Sequence, residues 1–198
     1  MKIYGDKQSG NCYKIQLLAS FLKIDYEWID IDILAKETYT ADFLAKNPNG
    51  KIPLLELESG KCLSESNAIL YFLADGSRLL PSDPYNRAKV LEWQFFEQYS
   101  HEPYIAVARF ISKYLGIPAN RKAEFTAKQA GGHKALHVMN QQLHKTPYLT
   151  GNSISIADIS LYAYTHVAHE GGFDLSPYTA ILSWITKIKS LDNYIDMQ

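Results

Sequence analysis

Between Gly76 and Pro84 the chain changes character. Upstream, short apolar runs alternate with helical stretches; downstream, the apolar residues recur only at helical spacing. Gly76 ends the last upstream helix, and Leu80-Pro81-Ser82-Asp83-Pro84 is a proline-punctuated linker that neither a helix nor a central strand tolerates. A 198-residue chain divided there yields two small domains and is long enough to bury about seventy per cent of its unfolded surface. The expected fold is therefore an α/β domain over residues 1–77 followed by an all-helical domain over 84–198.

In the first half, residues 2–5 read as a short buried strand. After Ser9-Gly10-Asn11, the residues Ile15, Leu17, Leu18, Phe21 and Leu22 mark a helix. Tyr26 to Ile33 alternates in part and reads as a strand, and a helix follows around Thr40 to Ala45. Beyond the loop Asn47-Pro48-Asn49-Gly50-Lys51, the runs Ile52 to Leu57 and Lys61 to Leu63 form a hairpin about Glu58-Ser59-Gly60. A last helix starts near Glu65, with Ile69, Leu70, Phe72 and Leu73 along one face. The order is βαβα then ββα.

The second half opens with an aromatic-rich stretch, residues 84–115, that Pro103 should kink or break. Pro118 to His144 reads as a helix with a bend at Gly131-Gly132, and further helices fall near 155–169 and 178–190. Ser155-Ile156-Ala157-Asp158 has the spacing of a capping box, flanked by Ile154 and Ile159 as a hydrophobic staple, which makes Asp158 a folding element rather than a catalyst.

Several function classes are excluded by composition. Twenty basic against twenty-one acidic residues, with no long run of either sign, argue against nucleic acid and against an anionic membrane as partners. The opening Met1-Lys2-Ile3-Tyr4 lacks the pattern of a secretory signal, and no stretch has membrane-spanning length. Cys12 and Cys62 are too far apart for a redox pair and too few for a disulfide scaffold. A reducing cytoplasm fits these features. The pairs His133/His137 and His166/His169 lack the glutamate and third ligand of a metallohydrolase pattern, so no metal is expected.

The chemistry points to three short segments. Ser9-Gly10-Asn11-Cys12 lies where a strand gives way to a helix, so its amides and the helix dipole face an incoming anion. A hydroxyl there can donate to a bound thiolate, or Ser9 and Asn11 can simply cap the helix. Pro53 stands at the start of a strand; a cis Ile52-Pro53 bond would turn the Ile52 backbone groups outward toward an extended peptide. Glu65 and Ser66 begin another helix, where amides and a hydroxyl can hold a carboxylate, or where Ser64 or Ser66 can act as a plain cap.

Taken together, S-G-N-C-Y-K-I-Q-L at Ser9 to Leu17, N-P-N-G-K-I-P-L-L at Asn47 to Leu55, S-E-S-N-A-I-L at Ser64 to Leu70 and S-I-A-D at Ser155 to Asp158 resemble the glutathione S-transferase superfamily over nearly the whole chain. The turn at Ser9 is similar to that of bacterial theta-like and nu-like members. This resemblance implies a thioredoxin-like N-terminal domain, glutathione as cosubstrate, and a homodimer pairing the first domain of one subunit with the second of the other. It implies that Ile52 pairs its backbone with the cysteinyl part of glutathione beside a cis Pro53. Glu65 and Ser66 would hold the γ-glutamyl amine and carboxylate, and Lys51, with Lys36 or Thr38, the glycyl carboxylate. Ser9 and Asn11 are both candidates to contact the sulfur; Tyr4 stands near the place used by tyrosine-dependent classes. In cysteine-using members the thiol aligns with Asn11, so Cys12 is read as a packed residue and Cys62 as core. Tyr13, Tyr104, Ala108 and Arg109 are the expected lining of a pocket for the electrophile, with Arg109 equally placed for a salt bridge. The implied activity is thiol transfer to an electrophilic small molecule. Glutathione-dependent disulfide reduction or peroxidase chemistry, and a non-catalytic partner-binding protein, are the alternatives.

Overall fold

The computed structural model describes residues 1–198, which form two compact units: Met1–Ser77 with Asp192–Gln198, and Arg78–Leu191.

The first unit holds β1 (Lys2–Gly5), α1 (Gly10–Leu22), β2 (Glu27–Asp30), α2 (Ala41–Lys46), β3 (Leu54–Glu56), β4 (Cys62–Ser64) and α3 (Ser66–Leu73). The sheet order is β2-β1-β3-β4, with β1 parallel to β2 and antiparallel to β3, and β3 antiparallel to β4. Side chains alternate across β1: a Cβ on Gly5 would strike Trp28 and the Cys12 sulfur, whereas Tyr4 meets Phe43 of α2 edge to face. Gly5 is thus where α1 closes onto the sheet. β2 is shorter than the expected Tyr26–Ile33 because its partner β1 ends at Gly5, whose carbonyl accepts one last bond from the Ile31 amide. The Ile52-Pro53 bond is cis.

The end of the chain departs from the expected boundary of 84–198. Residues 192–198 belong to the first unit, where the Tyr13 hydroxyl donates to the Ile195 carbonyl at 2.7 Å and Ser20 Oγ to the Asn193 carbonyl at 2.6 Å. Seven polar-rich residues without periodicity carry no sign of this in sequence, because the bonds are made by their backbone.

The second unit holds α4 (Pro84–Phe96), α5 (Glu102–Arg109), α6 (Lys122–Leu143), α7 (Ile156–Thr165) and α8 (Thr179–Lys189). Asp83 caps α4 by accepting from the Asn86 amide at 2.9 Å, and Pro84 occupies the first turn, where its missing N–H is no loss. Pro103 does not break the helical path. A π-helical turn, Glu97–His101, precedes α5, and Pro103 falls in the first turn of the new helix; a second π turn, Phe110–Tyr114, follows. Through Gly131-Gly132, read from sequence as a bend, α6 stays α-helical. These glycines make room: a Cβ on Gly131 would overlap the Tyr104 ring and one on Gly132 the Phe173 ring.

The capping box at α7 is present as expected. Ser155 N donates to Asp158 Oδ2 at 2.9 Å, and Ser155 Oγ accepts from the Ala157 amide. Asp158 is wholly buried and also receives Leu149 N at 2.9 Å and Trp184 Nε1 at 3.0 Å on Oδ1. Burial pushes its carboxyl above the ordinary aspartate value, against the opposing pull of these hydrogen bonds. No helix is long and apolar enough to cross a membrane.

Candidate functional site

β1 ends at Gly5, the chain turns through Asp6 to Ser9, and α1 begins. Ser9 takes the N-cap conformation, φ −78° and ψ 123°, yet its hydroxyl caps no amide of α1. The simple capping alternative is therefore not what Ser9 does. Beneath this turn Cys12 is fully buried, and burial pushes its thiol up to about 12 against opposing hydrogen bonds from the Ser9 side chain and the Asp6 backbone. A thiol held protonated there is no nucleophile. Brief alkylation with iodoacetamide at neutral pH should label Cys62 and leave Cys12 unmodified until the protein is unfolded; label on native Cys12 by mass spectrometry would contradict this. Cys62 is not core as expected. It lies half-buried on the edge strand β4, because a three-residue edge strand has a neighbour on one side only.

At α3, Glu65 sits at the N-cap with φ +69° and ψ 114°, a region that a residue with a Cβ seldom occupies. The conformation leaves its side chain exposed and Ser66 buried as the first residue of the helix. Ser66 Oγ donates to Asn11 Oδ1 at 3.2 Å and accepts from Lys14 Nζ at 3.2 Å, so the N-termini of α1 and α3 are bonded to one another. Both of these bonds are made by the Ser66 hydroxyl.

Ile52 precedes β3, which begins only at Leu54, so its amide and carbonyl lie outside the sheet ladder. The loop leading to it is set by Asn47, a residue that sequence reasoning did not single out. Asn47 is 3% exposed; its Nδ2 donates to the Lys51 carbonyl at 2.7 Å and its Oδ1 accepts from the Asn49 amide at 3.1 Å. Gly50 completes the turn at φ +62°, where a side chain would be strained. The N-P-N-G string was the available signal.

Of the residues expected at the glycyl carboxylate, Lys51 and Lys36 are exposed. Thr38 is buried, with its carbonyl against Gly50, and its side chain is not available to a ligand. Tyr4 is likewise engaged: its hydroxyl donates to Glu56 Oε2 at 2.6 Å, the Lys46 ammonium pairs with the same oxygen, and the Glu56 bond is the main reason its own pKa is raised. Three of the four residues expected to line an electrophile pocket have sealed side chains. Tyr13 is buried under its bond to Ile195, Ala108 is core, and Arg109 pairs with Glu170, which also takes Lys113. Arg109 thus makes the salt bridge that was its other reading. Tyr104 alone keeps an accessible surface, packed on Gly131 beneath the Lys128 ammonium at 5.7 Å. No group of three or more His, Cys, Asp or Glu side chains is gathered for a metal ion.

The first unit therefore brings the N-termini of α1 and α3 together over a buried lysine, with Ile52 outside the sheet ladder. Residues 1–75 match the family model for the glutathione S-transferase N-terminal domain, and residues 107–194 that for the C-terminal domain. Among solved structures the chain is similar to a glutathione S-transferase from Pseudomonas fluorescens Pf-5, 61% identical with a TM-score of 0.98, covering 99% of this chain and 98% of that one. It is similar also to a maleylacetoacetate isomerase from Methylobacterium extorquens AM1 crystallised with malonate and glutathione, 25% identical with a TM-score of 0.81, covering 98% and 94%. The disulfide-bond oxidoreductase YfcG of Escherichia coli K12 is 29% identical over 187 residues, 91% of this chain and 86% of that protein. On both of its domains and on the likeness of the whole chain, this protein belongs to the glutathione S-transferase family.

Proposed function

We propose that the protein is a glutathione transferase that ionises the thiol of bound glutathione and delivers it to an electrophilic small molecule. The observation that carries this reading is the bonded pair of helix N-termini, Asn11 to Ser66, with Lys14 buried behind them. The γ-glutamyl carboxylate meets the Ser66 amide at the start of α3, and its ammonium meets the exposed Glu65 carboxylate. Ile52 pairs with the cysteinyl backbone beside Pro53, and Lys51, with Lys36, neutralises the glycyl carboxylate. The sulfur then lies at the N-terminus of α1, within reach of Ser9 or Asn11. The thiol proton leaves to solvent, the thiolate forms a carbon–sulfur bond, and the electrophile releases its leaving group or takes up a proton. Catalysis is thiol activation and proximity. Tyr104 contributes to the electrophile's surface, and the protein acts in the cytoplasm, in detoxification, as a homodimer.

Titration with glutathione tests this. Calorimetry should show saturable binding, and ultraviolet thiolate absorbance of the complex should place the bound thiol about two units below the roughly 8.5 of a free thiol. An absence of binding at millimolar glutathione would remove the enzymatic reading and leave a partner-binding protein on this fold.

A second reading, disulfide reduction, is favoured by the Escherichia coli relative's name. With Cys12 sealed, it would run entirely on glutathione. The bound thiolate attacks a small disulfide and expels one thiolate, and a second glutathione displaces the other to leave glutathione disulfide. Parallel assays with an activated aryl halide and a small dialkyl disulfide separate the two activities.

A further inference from the structure

Lys14 lies in the second turn of α1 and is wholly buried, a rare place for a lysine. Its ammonium donates to Ser66 Oγ and Ser66 Oγ donates to Asn11 Oδ1, each at 3.2 Å. An ammonium has three donors and no acceptor, so the Ser66 oxygen can only accept from it. The hydroxyl's single proton is then directed onward. On the Asn11 amide only Oδ1 can receive it, which turns the NH2 end of that amide away from Ser66. The donor direction from Lys14 through Ser66 to Asn11 Oδ1 is thus set from its buried end.

The geometry points to Lys14 as a positioning residue that, through Ser66, makes the Asn11 amide present donors rather than a carbonyl oxygen to the bound sulfur. This rests on the glutathione-binding reading above. The polarity matters because a carbonyl oxygen facing a thiolate repels it, whereas an amide N–H stabilises it. Without a donor-only group behind it, Ser66 is free to rotate its proton elsewhere and Asn11 to flip. Lys14 also places a positive charge against the first residue of α3, the end of the site that receives the γ-glutamyl carboxylate. One buried side chain therefore links the subsite that binds glutathione to the one that ionises it.

The test is the thiol pKa of bound glutathione, read from thiolate absorbance, in the wild type and in Lys14→Met, Lys14→Arg and Ser66→Ala. Methionine fills the buried volume without charge or donors, and its pKa should rise by about one unit, a tenfold loss of thiolate. Ser66→Ala should do the same. Arginine, also a donor-only cation, should hold the thiol closer to the wild-type value, a rescue that a purely structural role does not predict. Thermal melting checks that each variant is folded; if Lys14→Met is not, Ser66→Ala decides. A wild-type complex with a depressed thiol pKa that neither Lys14→Met nor Ser66→Ala moves would overturn this inference alone. A wild type that binds no glutathione would overturn it together with the reading on which it rests.

Discussion

Replacing Asp158 with alanine is expected to destabilise the protein by about 3–5 kcal/mol and to lower its melting temperature by roughly 10 °C. The carboxylate is fully buried and accepts from the Leu149 amide, the Ser155 amide and hydroxyl, and the Trp184 indole. Alanine would leave these donors inside the protein, and each buried donor left without a partner costs about 1–3 kcal/mol before any relaxation. The loss also has a geometric side. Asp158 joins the segment before α7, the cap of α7 and α8, so its removal loosens three parts of the helical unit together. Chemical denaturation measures the change directly. Trp184→Phe, which withdraws one donor and shrinks a buried indole to a phenyl ring, should cost about 2 kcal/mol. A loss below that for Asp158→Ala would mean that the donors find other acceptors, and the carboxylate would not be the hub its bonds describe.

Asp158 is also the clearest case of a residue whose role is legible in sequence. A hydroxyl and a carboxylate three positions apart between isoleucines specify a helix start whatever the tertiary fold, because every bond of the box is local. The turn at Ser9, the hairpin about Gly60 and the helix start at Glu65 were legible for the same reason. Features that depend on a distant partner were not. Gly131 and Gly132 read as a bend because nothing near them in sequence discloses the rings of Tyr104 and Phe173 that need their space. Glu65 was recognisable as a polar residue at a helix start, but not its positive φ.

Lys14 was illegible for a different reason. Cys12 through Ile15 and Leu17 through Ala19 are all buried, so α1 has little of the polar face that would make a buried lysine stand out as an exception. A lysine in such a helix reads as the solvated side. Its burial follows only from α3 packing against α1 and bringing Ser66 to its ammonium. The site was thus readable as a set of ligand-facing segments, while the interior bonds that hold those segments together came from the fold.

Removing the groups proposed to face the sulfur gives the largest expected effect on activity. Ser9→Ala or Asn11→Ala should lower kcat/KM at neutral pH by about tenfold, because a depression of about two units sets a ceiling of roughly a hundredfold on the thiolate fraction that the donors at the site sustain together. The Ser9 hydroxyl caps no amide of α1, whereas Asn11 also accepts from Ser66, so thermal melting of Asn11→Ala checks that the start of α1 stays in place. The pH profile tells what kind of loss this is. A donor to the thiolate depresses the thiol pKa, so the wild-type advantage exists only between the depressed value and that of free glutathione, roughly 8.5. As pH rises through that window the variant's own thiol ionises, and its rate should climb toward the wild type. A defect that persists undiminished at pH values above about 9 would instead mean misplacement of the sulfur, and would remove that residue from thiol activation. If only one of the two variants recovers with pH, that residue is the thiolate donor and the other serves the turn.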